Sequence, residues 1–352
     1  MWYSIYRTQN TKNKLRGEKN FMATETQFQS QNDVTIAGRL VSKDIRAMHT
    51  RKDNIPMLVG RLQIETNEGE RHYVQVLEME YRGKDKKENP GYKTLLKLEN
   101  EGVTLEDTKE ASNVTQLKIF GQLTPNVYMN RNGEVVEGYQ IQSRFLNVLE
   151  QEVKPESQVT CTGTLVTTPV PEINKQGDET GRMFADVMLV DYRNIGLKLK
   201  FTFPEEATDW LEDLEIATTV KLQAEIINRF INKTVELPNP DGFGTITEVK
   251  RDSTREMLVT GASEVGFHED FDDEEGSTDH KLVLFPKQIQ EAKKNYEQWK
   301  AEQIAQQEER QSKRDNNQGE VSGFTSERKS KPSKAKASNA DIDDISDDDL
   351  PF

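Results

Sequence analysis

The octapeptide VTIAGRLV at residues 34–41 returns as VTCTGTLV at residues 159–166, an offset of 125 that keeps five of eight positions. Self-similarity at this distance marks a chain built from two copies of one unit. The surroundings repeat as well. After the first copy come a polar loop (42–56), an alternating run (57–65), a turn at Asn67, Glu68 and Gly69, and a second run (72–79). After the second copy come a loop rich in Pro, Gly and charge (169–181), a run at 183–190, a turn near Arg193 and Asn194, and a run at 197–203. Each unit then offers a helical or irregular stretch, 91–100 and 204–214, and a fourth run, 116–123 and 219–227. A fifth run closes each unit, 139–149 and 257–262, preceded by a hairpin at 130–134 and at 251–254.

These runs alternate apolar and polar residues and are rich in Val, Ile, Thr and aromatics, the pattern of half-buried strands. Five short strands with a helix between the third and fourth is the order of an OB-fold, a partly open five-stranded barrel. Gly38 and Gly163 stand where strand one of such a barrel must bend or let another backbone come close. The expected fold is therefore all-β, with two tandem OB-fold-like five-stranded barrels, a charged helix and a disordered acidic-tipped tail. Two unrelated small β-barrels or sandwiches would also satisfy the strand pattern.

The length of 352 residues allows for two such domains plus a tail. The division is a leader at 1–32, barrel one at 33–150, barrel two at 151–263, an acidic loop at 264–285, a charged helix at 286–314, a linker at 315–340 and a terminal segment at 341–352. Only 34% of the chain is apolar and 31% is charged, a composition that leaves part of it unpacked. The leader lacks periodicity and precedes Met22. Gly17 and Glu18 can be encoded by a ribosome-binding-site-like GGAGAA, so translation is expected to start at Met22; a genuine disordered N-terminus is the alternative.

A net charge of −14, taken as a whole, argues against an anionic partner. Its distribution does not. Residues 263–287 and 341–352 carry −6 each, whereas residues 33–150 sum to −1 and can hold a basic face. The lone cysteine, Cys161, excludes an internal disulfide. No run approaches the ~20 apolar residues of a membrane span, and no signal peptide is recognisable, so a soluble cytoplasmic protein is expected.

The tail changes character twice. Glu269, Asp270, Asp272, Asp273, Glu274 and Glu275 invite a calcium-loop reading, but Gly276 is one place late and Lys281 stands where an EF-hand wants glutamate. This is a solvated acidic loop. Residues 286–314 start with proline, lack an interior breaker and carry a narrow apolar stripe of Ile289, Ala292, Tyr296, Trp299 and Ile304. The last twelve residues, DIDDISDDDLPF, place six carboxylates before Leu350, Pro351 and Phe352. Physically this is a docking peptide: a phenyl ring for an apolar pocket, a carboxylate for a basic rim, a proline that limits lost freedom, and Asp347, Asp348 and Asp349 to add attraction.

DDDLPF resembles the acidic tip of bacterial single-stranded DNA-binding proteins, which usually end in DDDIPF or DDDLPF. The resemblance covers about a dozen residues. In that family the tip comes after a flexible linker and an OB-fold, and recruits replication, recombination and repair proteins. It implies a protein that coats single-stranded DNA irrespective of sequence, with no cofactor. Two OB units in one chain depart from the usual, tetrameric member and imply a phage or mobile-element version.

A single strand is held by a basic groove plus aromatic faces on which bases stack. OB-folds present these on strands two and three and on the one–two and four–five loops. In the first unit those regions hold Arg39, Lys43, Arg46, Arg51, Lys52, Arg61, Arg71, Tyr73, Tyr81, Lys84, Tyr128 and Arg131, the expected DNA-binding set. Core packing is the competing account of Tyr73, and a solvated loop that of the Arg39–Lys52 cluster. The second unit offers Lys175, Arg182, Phe184, Tyr192, Arg193, Lys198 and Lys200 on a more acidic background, and is expected to bind more weakly or to serve assembly. Four histidines and one cysteine give no zinc cluster, and phosphate-loop and nucleophile-elbow patterns are absent, so neither an enzyme nor a metal site is expected. The rival reading is a replication or recombination adaptor whose OB units bind protein.

Overall fold

The computed structural model describes residues 29–319 apart from 51–52, 84–85, 109, 131, 175, 239–242, 244 and 267–285. The proposed Met22 start, most of the acidic loop, the linker beyond residue 319 and the Asp347–Phe352 tip lie outside the described residues.

The first unit comprises β1 (Asn32–His49), β2 (Pro56–Asn67), β3 (Glu70–Met79), the short pair β4 (Tyr81–Arg82) and β5 (Lys87–Glu88), helix α1 (Pro90–Glu101), β6 (Gln116–Met129) and β7 (Val135–Leu149). β1 pairs with both β2 and β6, β2 with β3, and β6 with β7, all antiparallel. Parallel pairing of β3 with β7 closes the ring at Val74 and Ile141. The second unit repeats the circuit with β8 (Glu156–Leu165), β10 (Glu179–Val190), β11 (Gly196–Phe203), β12 (Thr219–Pro238) and β13 (Thr245–Gly266). Its closure is the parallel contact of β11 with β13 at Thr202 and Leu258. The short strand β9 (Val170–Ile173) is added at the edge of β10, and helix α2 (Thr208–Glu212) stands where α1 does. Both units are five-stranded OB barrels, and the fold is all-β as the strand order implies.

Alternation builds each barrel. Val34, Ile36 and Leu40 of β1, Leu62 and Ile64 of β2, and Val74 and Val76 of β3 are buried, and the residues between them face outward. The repeated glycines do the same work twice. A Cβ on Gly38 would lie 2.2 Å from the Glu65 carbonyl oxygen, and one on Gly163 2.7 Å from that of Met188, so strand one passes under strand two only without a side chain. In α1, Asn89 accepts from the Gly91 amide and Pro90 takes the first turn, while Leu95 and Leu98 plug the barrel.

The two repeat copies pair with each other. β1 and β8 run antiparallel from Asn32–Cys161 to Ala37–Glu156, so all the described strands except the β4–β5 pair form one eleven-stranded sheet with a contiguous core through both barrels. A second joint lies at β3 and β12, where Arg229 stands opposite Glu70 and the Phe230 amide donates to the Gly69 carbonyl at 2.8 Å. Glu70 is fully buried there, within 3.3 Å of His72, 3.4 Å of the Ser157 hydroxyl and 3.6 Å of the Arg229 guanidinium.

The structure corrects four local expectations. Residues 42–49 are strand rather than loop: β1 and β2 stay paired from Ser42–Gln63 out to His49–Pro56 as a ribbon. Residues 251–254 are not a hairpin: β12 and β13 remain paired from Arg229–Thr254 out to Pro238–Thr245. Polar residues in a two-stranded ribbon have no core to alternate against, so they read as loop. The segment 169–181 contains β9 and the start of β10. Helix α3 (Pro286–Gly319) is longer than 286–314 and takes the first five residues of the expected linker. Its Ile289 and Ala292 bury against Met188 and Val190 of the second barrel. Further along, Tyr296 Oη donates to Glu137 at 2.7 Å and Lys300 pairs with the same carboxylate. Gln307 donates to the Val127 carbonyl and accepts from the Met129 amide, both at 2.9 Å. α3 thus ties barrel two to the β6–β7 ribbon of barrel one.

Candidate nucleic-acid interface

Outward residues of β1, β2 and β3 fall into register-matched rows. The rows run Arg39, Glu65 and Arg71; then Ser42, Gln63 and Tyr73; then Asp44, Arg61 and Gln75. The Arg61 guanidinium lies 5.1 Å from the Tyr73 ring centroid, and Gln63 Nε2 donates to Tyr73 Oη at 2.7 Å, fixing the ring. A cation over an aromatic face on a diagonal strand pair is a stable and exposable arrangement.

The second barrel builds the counterpart with roles exchanged. Phe184 is on β10 and Lys200 on β11, with Lys200 Nζ 3.8 Å from the ring centroid. Arg255 of β13 adds a third pair, 5.3 Å from the Phe230 ring of β12. These groups meet. Arg61, Tyr73, Gln75 and Tyr139 from barrel one, and Phe184, Lys200 and Arg255 from barrel two, line one groove of about 840 Å³.

Its electrostatics are mixed. Arg182 holds Glu172 through two bonds of 2.6 and 2.8 Å and reaches Glu256 at 3.2 Å, and Lys198 lies 3.3 Å from Asp186. The hydrogen bond from Arg182 keeps the Glu172 carboxyl below its usual value against the cost of burial. Burial lowers the pKa of the Arg255 guanidinium, an effect partly offset by the Tyr139, Tyr73 and Tyr128 phenols around it. Burial pushes the Tyr139 phenol up to about 12, so it stays neutral and offers ring and hydroxyl only. Arginine, lysine and neutral aromatic faces together can pair with phosphates and stack bases; the carboxylates already hold some of the cations.

The expected DNA-binding residues fall into several groups. Arg61 and Tyr73 line the groove, and Tyr128 lies beside Arg255. Arg39 and Arg71 flank Glu65 at 2.8 and 3.6 Å on the same barrel face. Arg46 is half-exposed further along that face, 3.3 Å from Asp44. Lys43 is turned away from the groove: a register shift between Leu40 and Ser42 puts it on the core side, where it donates to the Leu98 carbonyl at 2.9 Å and to that of Glu99. There it caps the C-terminal end of α1. Tyr81 sits in β4 outside the groove lining, its phenol pushed up by the neighbouring Glu80 carboxylate. Arg51, Lys52, Lys84, Arg131 and Lys175 lie outside the described residues. Of the second-unit residues, Arg182, Phe184, Lys198 and Lys200 line the groove, while Tyr192 and Arg193 line a separate cleft. Sequence reasoning misses Arg255 and Phe230. Arg255 comes directly after a run that reads as a hairpin, and only its parity on a continuous β13 aims it at the groove.

Among the described residues no group of three or more His, Cys, Asp and Glu is placed to hold a metal ion, and no helix is long and apolar enough to cross a membrane.

The sequence model of a family described as YorF matches residues 30–318. No curated protein matches the chain. Among solved structures the chain is similar to a deletion mutant of the single-stranded DNA-binding protein from Thermus aquaticus, at 16% identity over 70% of this chain and 99% of that chain, with a TM-score of 0.42. The wild-type form of that protein shows 14% identity over 67% and 93%, with a TM-score of 0.41. The mitochondrial single-stranded DNA-binding protein Rim1 of S. cerevisiae shows 12% identity over 36% and 99%, with a TM-score of 0.20.

Proposed function

We propose that this chain, which belongs to the YorF family, binds single-stranded DNA of any sequence in the groove between its two barrels. The observation that carries this reading is the convergence of Arg61–Tyr73 from one barrel and Lys200–Phe184 from the other on a single groove. Every base has a π-face, so ring stacking holds a strand without reading it, at about 1–3 kcal/mol per base. A duplex hides those faces in its own stack and meets the groove only through phosphates. The protein works by binding, with no chemical step. It shields single strands during replication, recombination and repair, and its acidic Asp347–Phe352 segment recruits other proteins. Removing that segment should abolish capture of partner proteins while leaving DNA affinity intact or slightly raised.

Fluorescence titration with oligo-dT and with a duplex of equal length, across a series of salt concentrations, tests the reading. The expected result is preference for the single strand, with log affinity falling by about 0.7 per phosphate contact for each tenfold rise in salt. Equal affinity for the duplex, or no salt dependence, overturns it.

A further inference from the structure

The rows that begin in the groove continue beyond it. Past Asp44, Arg61 and Gln75 the next row is Arg46, Val59 and Leu77, and the last is Met48, Met57 and Met79. Their parity places them on the groove's face of β1, β2 and β3, because Leu58, Leu62, Val74 and Val76 occupy the core side. Leu77 is 46% exposed, Met48 49% and Met79 38%, an apolar surface on a ribbon whose opposite end is strongly polar.

We infer that a bound strand leaves the groove along this methionine–leucine shelf, where bases rest on thioether and aliphatic groups while Arg46 meets a phosphate. The inference rests on the proposed single-strand binding and extends it to a second subsite. Two features favour a polynucleotide over a protein partner. The shelf continues the groove floor with no element between them, the Arg61 row belonging to both. Arg46 of β1 shares a row with Val59 and Leu77, and Arg61 of β2 stands in the next row toward the groove, so each of two successive rows carries a guanidinium. Methionine suits the task because its unbranched, polarisable chain adapts to purines and pyrimidines alike. Arg61 lies four residue steps along β2 from Met57, about 13 Å at ~3.3 Å per residue, the length of roughly four stacked nucleotides.

The test compares a short oligo-dT that fills only the groove with a series lengthened one nucleotide at a time. Wild-type affinity should rise over the first few added nucleotides. A Met48→Gln/Leu77→Gln/Met79→Gln variant should bind the short oligonucleotide like wild type and lose about tenfold on the longer ones, the scale expected for a few partly buried apolar side chains. Leu77→Phe, which adds a stacking face, should raise affinity only for the longer ones. Wild-type affinity of both variants at every length overturns the shelf while leaving the groove reading intact, provided Tyr73→Ala weakens binding throughout. A change in sedimentation of the triple variant with no change in DNA affinity would assign the surface to protein contact, again against the inference. A wild-type protein that binds neither length overturns the groove reading itself.

Discussion

Val34 of the first repeat stands directly opposite Val159, its own counterpart 125 residues later, in the antiparallel ladder between β1 and β8. Equivalent residues facing each other define a local two-fold axis, the relation found in an isologous dimer but here within one chain. The axis explains why the second barrel reaches the groove of the first. Each barrel brings strands two and three to the same opening, so Tyr73 and Phe184 line one groove although no local pattern connects them.

Both rings should therefore matter. Tyr73→Ala and Phe184→Ala are each expected to cost about 1–3 kcal/mol in oligo-dT binding, the weight of one lost base stack. Affinity measured for the two variants under one salt condition checks this. Loss from Tyr73 alone would make the site a single-barrel one.

The joint between barrels should be acid-sensitive at Glu70. Burial raises its pKa, but hydrogen bonds from His72 and Asn67 and the charges of His72 and Arg229 outweigh burial and hold it below its ordinary 4.5. A depressed carboxylate contributes stability above its unfolded value, and that contribution is lost as pH falls through the folded value. Thermal midpoints measured downward from pH 4.5 should fall more steeply for wild type than for Glu70→Gln. Parallel curves would show that Glu70 does not hold the joint.

Gly38 and Gly163 should be intolerant of a methyl group. Gly38→Ala brings Cβ to 2.2 Å from a backbone oxygen and Gly163→Ala to 2.7 Å, so both should destabilise, Gly38→Ala more, by about 1–3 kcal/mol. Gly133→Ala, at φ 78° with nothing within 4 Å, should cost only the left-handed conformation, roughly 1 kcal/mol. Denaturant midpoints of the three variants give the ranking.

These glycines also show how much is legible in the sequence. The strand order, the repeat and the tight place in strand one come from short-range alternation and one residue type, and the structure has all three. Lys43 escapes such reading because a bulge between Leu40 and Ser42 reverses the parity of the residues after it, and a bulge leaves no mark in an alternating pattern. Arg255 escapes it because the polar residues before it imitate a turn; their partners, Arg229 to Asn232, are supplied by a strand some twenty residues earlier. The shared groove depends on pairing between residues 125 apart, which composition and periodicity do not encode.

Helix α3 should protect the tip of the β6–β7 ribbon. Gln307 accepts from the Met129 amide at 2.9 Å and donates to the Val127 carbonyl. Gln307→Ala should speed hydrogen exchange of the Met129 amide while leaving core amides such as Ile119 unchanged. Unchanged exchange at Met129 would mean that the ribbon stands without the helix.

One bound strand should contact both barrels at once. Oligo-dT carrying a photoreactive thymine, cross-linked to the full chain and mapped by peptide mass, tests it most directly. Adducts are expected on β3 at Tyr73 and on β10 at Phe184, both suppressed by unlabelled oligo-dT. Adducts confined to one barrel, or found only outside the groove, would contradict it.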